Sequence, residues 1–419
     1  MHAISKIIAK HANRKSVEVG EIVNVTPDYV MLNDRGAARA ADLLRKMGGD
    51  KVCYPEQVVV VFDHHYPPIR QQDSVSQKAT REWVKEQGIT KFHAGEGIGH
   101  VIFPEKGYAF PGALIFGTDS HTVTNSALGC LATGLGHSDI ASYLALGYNW
   151  LRVPEVIRFN LHGEFKPGVC AKDIALRIAQ LYGEDAAPYL AVEFSGPLTA
   201  RLPMSERLVL CNMVIDFGAK TGYIQPDDTT ARFMAHRAPS LQWTAETTDS
   251  DSDCGRIVDL DVDEIDSLVA VPHDLSDIRS ASTLSDVRID EAIFGTCTGG
   301  RIEDFRVAAS IIKGRKLAAH TRMMVNPGSR EVYLQAMREG IIDMLVQAGA
   351  TVGVPSCGPC SGCHQGMLAP AENAITNASR NFKGRFGSPE ANAYVASSAT
   401  VAASAIAGRI VAPAEYIQS

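Results

Sequence analysis

Four short apolar runs punctuate the chain, and each stops at a polar or sulfur residue beside a small-residue turn. Val58–Phe62 ends at Asp63-His64-His65, and Ala113–Thr118 ends at Asp119-Ser120-His121. Ala292–Thr296 ends at Cys297, and Thr351–Val354 runs up to Cys357. Continuous runs rich in Val and Ile suit strands of a parallel sheet buried on both faces. Helical spacing separates them. Over 172–182, Ile174, Ile178 and Leu181 fall on one stripe, and Gly183 follows as a stop. Ser388-Pro389-Glu390 reads as a helix start, and the Ala-rich segment 399–407 stops at Gly408. Strands alternating with helices predict an α/β fold with mostly parallel sheets. Such sheets bind ligands beyond the carboxyl ends of their strands, which is where the polar and sulfur residues fall.

At roughly 100–200 residues per domain, 419 residues predict two to four domains. Val153-Pro154-Glu155 opens a new strand-like run, and 246–253 (ETTDSDSD) is an acidic loop. The expected domains are 1–152, 153–285 and 286–419. Asp249, Asp251 and Asp253 have the spacing that opens a calcium loop. Cys254 replaces the needed Gly, however, and Leu260 the needed Glu, so that reading fails. The basic, acid-free first 17 residues have the charge of a presequence. They are better read as a surface helix of the folded domain, with Ile4, Ile7, Ile8 and His11 on one face.

Charge narrows the function. Lys and Arg total 40 against 47 Asp and Glu, a net of −7. That balance speaks against nucleic acid and against an anionic membrane surface as partners. No apolar run approaches the ~20 residues of a membrane helix. The nine cysteines are odd in number and mostly sit in apolar segments, which fits a reducing, cytoplasmic setting.

Cys357-Gly358-Pro359-Cys360 is the strongest local signal. Two thiols at this spacing hold a metal or cluster, or form a redox dithiol. Its late position in a long chain, with Cys297 after a buried strand, favours a cluster held by Cys297, Cys357 and Cys360. Backbone N–H groups of Thr298-Gly299-Gly300-Arg301 are suited to cap its sulfides. Three thiolates on a 4Fe–4S cluster leave one iron without a protein ligand, free to act as a Lewis acid. If Cys363 also ligated, the cluster would be closed and suited to electron transfer.

Six motifs, in order, resemble the aconitase family. They are Asp63-His64, His100 in GEGIGHVIFPEKG, Asp119-Ser120-His121-Thr122, Asn212 in LCNMVIDFGAKTG, Cys297 in GTCTGGRIED with CGPC at 357–360, and 379–385 (SRNFKGR). The resemblance runs to about residue 415 and is nearest the 3-isopropylmalate dehydratase branch. It implies three α/β/α domains around a central 4Fe–4S cluster, and a hydro-lyase acting on a hydroxy-dicarboxylate. It implies Asp63, His64, His100, Asp119, His121 and Asp216 as catalytic groups. Asn33, Ser120, Asn212, Arg380 and Arg385 are implied as substrate-binding groups, the arginines gripping carboxylates. It also implies a separate small subunit bearing a swivelling domain and the serine base. Gly328-Ser329-Arg330 resembles that serine loop only superficially and reads as a structural turn.

Asp216 stands where the family has Glu, Ser379 where it has Asn, and Gly299 where Asn follows Cys-Thr. These departures leave homoaconitate, 2,3-dimethylmalate, citraconate and maleate as alternative substrates. A closed-cluster redox protein using Cys363 and a nucleic-acid-binding iron sensor are the competing functions; the net charge disfavours the second. His65, His93 and His137 lack motif support and read as structural.

Overall fold

The computed structural model describes residues 1–362 and 364–417; Cys363, the proposed fourth ligand of a closed cluster, lies outside the described residues. The chain forms two compact units. The first comprises 1–94, 102–161 and 187–260, and the second 95–101, 162–186 and 261–419.

In the first unit the apolar runs form strands β1 (Tyr29–Asn33), β2 (Val58–Phe62), β3 (Lys91–Ala94), β4 (Leu114–Gly117) and β5 (Leu131–Gly134). All pair in parallel, in the order β3-β2-β1-β4-β5. Every residue of β2 is buried, because helices cover both faces. The order reverses between β1 and β4, so their carboxyl ends form the switch point where open α/β sheets take ligands. A smaller sheet joins β6 (Val156–His162), β7 (Ala191–Ser195), β8 (Thr221–Ile224) and β9 (Arg256–Asp261) in the order β8-β7-β6-β9.

The N-terminal helix, Ala3–His11, belongs to this unit and is more enclosed than a surface helix. Ile4, Ile7 and Ile8 are fully buried in the main core. Its start is anchored by the Met1 ammonium on Asp249 (2.8 Å) and by His2 Nε2 on buried Glu193 (2.8 Å).

The second unit holds a seven-stranded sheet. Its strands are β10 (Leu268–Ala270), β11 (Ile278–Ser280), β12 (Glu291–Gly295), β13 (Arg322–Asn326), β14 (Thr351–Val352), β15 (Asn373–Thr376) and β16 (Asn392–Ala396). The order is β11-β10-β16-β15-β12-β13-β14, and the five from β16 to β14 are parallel. Those five repeat the winding of the first sheet, with the reversal between β12 and β15. Side chains of β12 alternate between two covered faces. Ala292 and Phe294 enter one core, while Ile293 enters a smaller one with Phe386 and Cys360.

The helix Ala171–Tyr182 ends at Gly183 as expected. Ile174 and Ile178 are buried, but Leu181 in the last turn is exposed. The expected helix start at Ser388 is instead a turn. Ser388 Oγ accepts from Glu390 N and Ser388 O from Ala391 N, and the chain continues into β16. A helix start and a β-turn use the same Ser–Pro chemistry. The pairing of 392–396 with β10 and β15 decides between them.

Candidate functional site

In the first unit the switch point gathers acids and imidazoles. Asn33 ends β1 and caps the following helix, its Oδ1 accepting from Gly36 N at 2.7 Å. Its amide donates to Asp119 Oδ2 at 3.3 Å. Asp63 and His64 follow β2, and His64 Nδ1 lies 2.7 Å from Asp63 Oδ1. His64 Nε2 lies 3.4 Å from Asp119 Oδ2, so one imidazole spans two carboxylates. Asp119 follows β4 and accepts from His121 N at 2.8 Å, which fixes the start of the 3₁₀ turn Ser120–Leu128. Ser120 Oγ lies 3.5 Å from His121 Nδ1.

The His121 ring stands between Asp119 Oδ1 at 3.7 Å and Asp216 Oδ2 at 3.5 Å. The shorter acid at 216 thus still comes within ion-pair range of His121. Asn212 lies behind, donating to Thr124 Oγ1 at 2.7 Å, and Thr124 donates to His121 O at 2.6 Å.

Asp34 carried no sequence signal but organises this corner. Almost fully buried, it accepts from His64 N at 3.3 Å and His65 N at 2.7 Å. Burial first, and then the Asp63 charge, pushes its carboxyl above the usual carboxylate range. His65, read from the sequence as structural, receives the Arg35 Nε hydrogen bond at 2.8 Å, and burial holds its imidazole below the usual value.

The second unit places its candidates at the β12/β15 switch point. Gly295 (φ +127°) and Thr296 (φ +70°) turn the chain sharply out of β12 before Cys297. A Cβ at Gly295 would lie 2.0 Å from Asn326 O, so only Gly fits. A β-branched residue in the left-handed region costs about 1–3 kcal/mol and marks strain stored beside a functional group. Cys297 is buried, and its carbonyl accepts from Arg301 Nη1 at 2.8 Å. Cys357 joins Cys297, Ile98 and Val101 in one apolar cluster. His100 is buried between Ile98 and Val101, and its segment is tied down by Ile98 N donating to Gly328 O at 2.8 Å.

Cys360 sits in the turn Gly358–Ser361 and receives Arg385 Nη2 at 3.4 Å. The Arg385 guanidinium lies 5.3 Å from the Phe382 ring. Arg380 is half-buried after buried Ser379. Ser329 N-caps the helix Arg330–Arg338, its Oγ accepting from Val332 N, as a structural turn would. Buried thiols without disulfides among the described residues, an apolar lining and a guanidinium on one sulfur make a donor set that fits a soft, anionic iron–sulfur group.

Two further residues were not legible in the sequence. Asn377 follows β15; its Oδ1 accepts from Gly295 N at 2.9 Å, and its amide donates to Gly299 O at 3.1 Å and Ser398 Oγ at 3.0 Å. A Cβ at Gly299 would lie 2.1 Å from the Asn377 amide nitrogen. Asn377 therefore fills the space a side chain at 299 would need, which accounts for the absence of Asn there. Lys172, in the first turn of Ala171–Tyr182, is buried beside the same two turns, and burial pulls its ammonium down to about 8.

The aconitase family model (aconitate hydratase) matches residues 5–282 and 272–408. A protein from Methanothermobacter thermautotrophicus named probable 3-isopropylmalate dehydratase large subunit is 41% identical over 414 residues, 99% of each chain. The protein from Halothermothrix orenii named 3-isopropylmalate dehydratase large subunit is 42% identical over 419 residues, all of both chains. Its Aquifex aeolicus namesake is 41% identical over 425 residues, covering 100% of this chain and 98% of that one. With the family model matching most of the chain and relatives 41–42% identical from end to end, the chain belongs to the aconitase family.

Proposed function

We propose that the chain is the iron–sulfur-bearing large subunit of a hydro-lyase interconverting 2-isopropylmalate and 3-isopropylmalate, active with a separate small subunit. The observation that carries this reading is the 41–42% end-to-end identity to proteins named 3-isopropylmalate dehydratase large subunit. When bound, a 4Fe–4S cluster supplies a Lewis-acidic iron without a protein ligand. Cys297, Cys357 and Cys360 would hold it.

Arg380 and Arg385 bind the substrate carboxylates, since a guanidinium fork matches a carboxylate. His64, held between the Asp63 and Asp119 carboxylates, gives a proton to the departing hydroxide. His121 is oriented by Asp119 and Asp216, whose carboxylates stand on either side of its ring. His100, Asn33, Ser120 and Asn212 orient substrate and water. The serine base and swivelling domain come from the small subunit. The enzyme works in the cytoplasm, where free thiols persist.

Co-expression with the small subunit and an assay against isopropylmalate, homoaconitate, 2,3-dimethylmalate, citraconate and maleate test the substrate. Fastest turnover of isopropylmalate is expected. Preference for another acid by tenfold in kcat/KM refutes the assignment.

A further inference from the structure

Lys172 is the second residue of a twelve-residue helix, where the helix dipole disfavours a cation. It is also almost fully buried, at 2% exposure, which disfavours any charge. Its hydrogen bonds all reach neutral oxygens: Thr298 Oγ1 at 3.1 Å, Ala378 O at 2.8 Å, and Asn377 O. Thr298 Oγ1 itself donates to Asn377 O at 2.6 Å. One ammonium therefore joins the turn after β12, which presents Cys297, to the turn after β15, which leads to Ser379 and Arg380. Among the described residues, no carboxylate hydrogen-bonds to this cation. The buried Asp304 and Asp173 carboxylates favour the ammonium only through space, without a hydrogen bond to it; a thiolate-bound cluster carrying negative charge adds a further compensating anion.

We propose that Lys172 is a positioning residue that clamps the Cys297 turn to the Ser379–Arg380 turn and serves as the buried counter-charge of the thiolate site. The proposal rests on the iron–sulfur reading for its electrostatic half alone; the clamp is a property of the chain itself. Losing the cation disfavours adding an electron nearby, so the cluster's reduction potential moves negative.

The test compares the full-length chain with Lys172→Met, which keeps length and removes charge, and Thr298→Val, which removes the bridging hydroxyl and keeps charge. Amide hydrogen exchange on the cluster-free chains reads the clamp. Both variants are expected to speed exchange in peptides covering 296–300 and 377–381 together. Exchange unchanged in either peptide overturns the clamp, and Thr298→Val decides this if Lys172→Met fails to fold. A redox titration followed by EPR on the reconstituted chains reads the charge. A negative shift in Lys172→Met beside an unmoved Thr298→Val supports it. Equal potentials in wild type and Lys172→Met overturn it, as does a shift of the same size in Thr298→Val. A wild-type chain that takes up no iron defeats the proposed function and leaves the exchange result to judge the clamp.

Discussion

Gly299→Asn is a sharp probe of the thiol-bearing turn, because it installs the residue the family pattern has there. The new Cβ would meet the Asn377 amide at 2.1 Å, closer than any real contact, so Asn377 must move. Overpacking of a buried site costs about 1–3 kcal/mol. Displacing Asn377 also breaks its bonds to Gly295 N, Gly299 O and Ser398 Oγ. At about 1 kcal/mol for each bond lost, the total comes to roughly 4–6 kcal/mol. Thermal unfolding should show a loss of roughly 8–24 °C, at about 2–4 °C per kcal/mol for a unit of this size. Asn377→Ala alone should cost roughly 2–4 kcal/mol, mostly from the buried Gly295 N–H left without its acceptor. The double variant should recover roughly 2 kcal/mol over the sum of the singles, since the side chain introduced at position 299 then enters the vacated space. A Gly299→Asn variant within ~0.5 kcal/mol of wild type, or strictly additive singles, refutes the argument that the two positions share one space.

Three other perturbations have worked outcomes. Ile8→Ala, in the fully buried N-terminal helix, should lower stability by about 2–4 kcal/mol; a cost under ~0.5 kcal/mol in chemical denaturation would mean the helix only lies on the surface. Asp34→Ala strips the acceptor from His64 N and His65 N, so stability should fall by roughly 2–4 kcal/mol and kcat should fall with it, checked by denaturation and steady-state assay. Asp173 is fully buried, and burial lifts its carboxyl from 3.8 to about 6. Between those values the folded state keeps a proton that the unfolded state has shed, so stability falls as pH rises through the window, by roughly 3 kcal/mol. The neutral Asp173→Asn lacks this loss, so denaturation at stepped pH should show it gaining on wild type from about pH 4 to 6.5; a flat difference contradicts the assigned environment.

The strands that carry the site were legible because burial on both faces demands unbroken apolar runs. Val58–Phe62 and Glu291–Gly295 both lie inside parallel sheets. The groups that end those runs were legible for the same reason, since the carboxyl ends of strands are where side chains can face a ligand. The supporting residues were not. Asp34 opens a helix with no motif around it, and its importance comes from two backbone N–H groups, 30 and 31 residues away. Lys172 has the spacing of an ordinary helix-surface lysine, and only the tertiary fold buries it. Asn377 acquires its meaning from Gly299, 78 positions earlier. Ser388-Pro389 shows the converse, a sound local signal overridden by strand pairing.

Mössbauer spectroscopy on ⁵⁷Fe-reconstituted chain, recorded with and without a hydroxy-dicarboxylate, tests the central claim most directly. Three buried thiols holding a cubane predict three irons that ignore the acid and one whose signal shifts when it is added. Four irons that stay equivalent and unmoved contradict the account, as does a purified chain that holds zinc in their place.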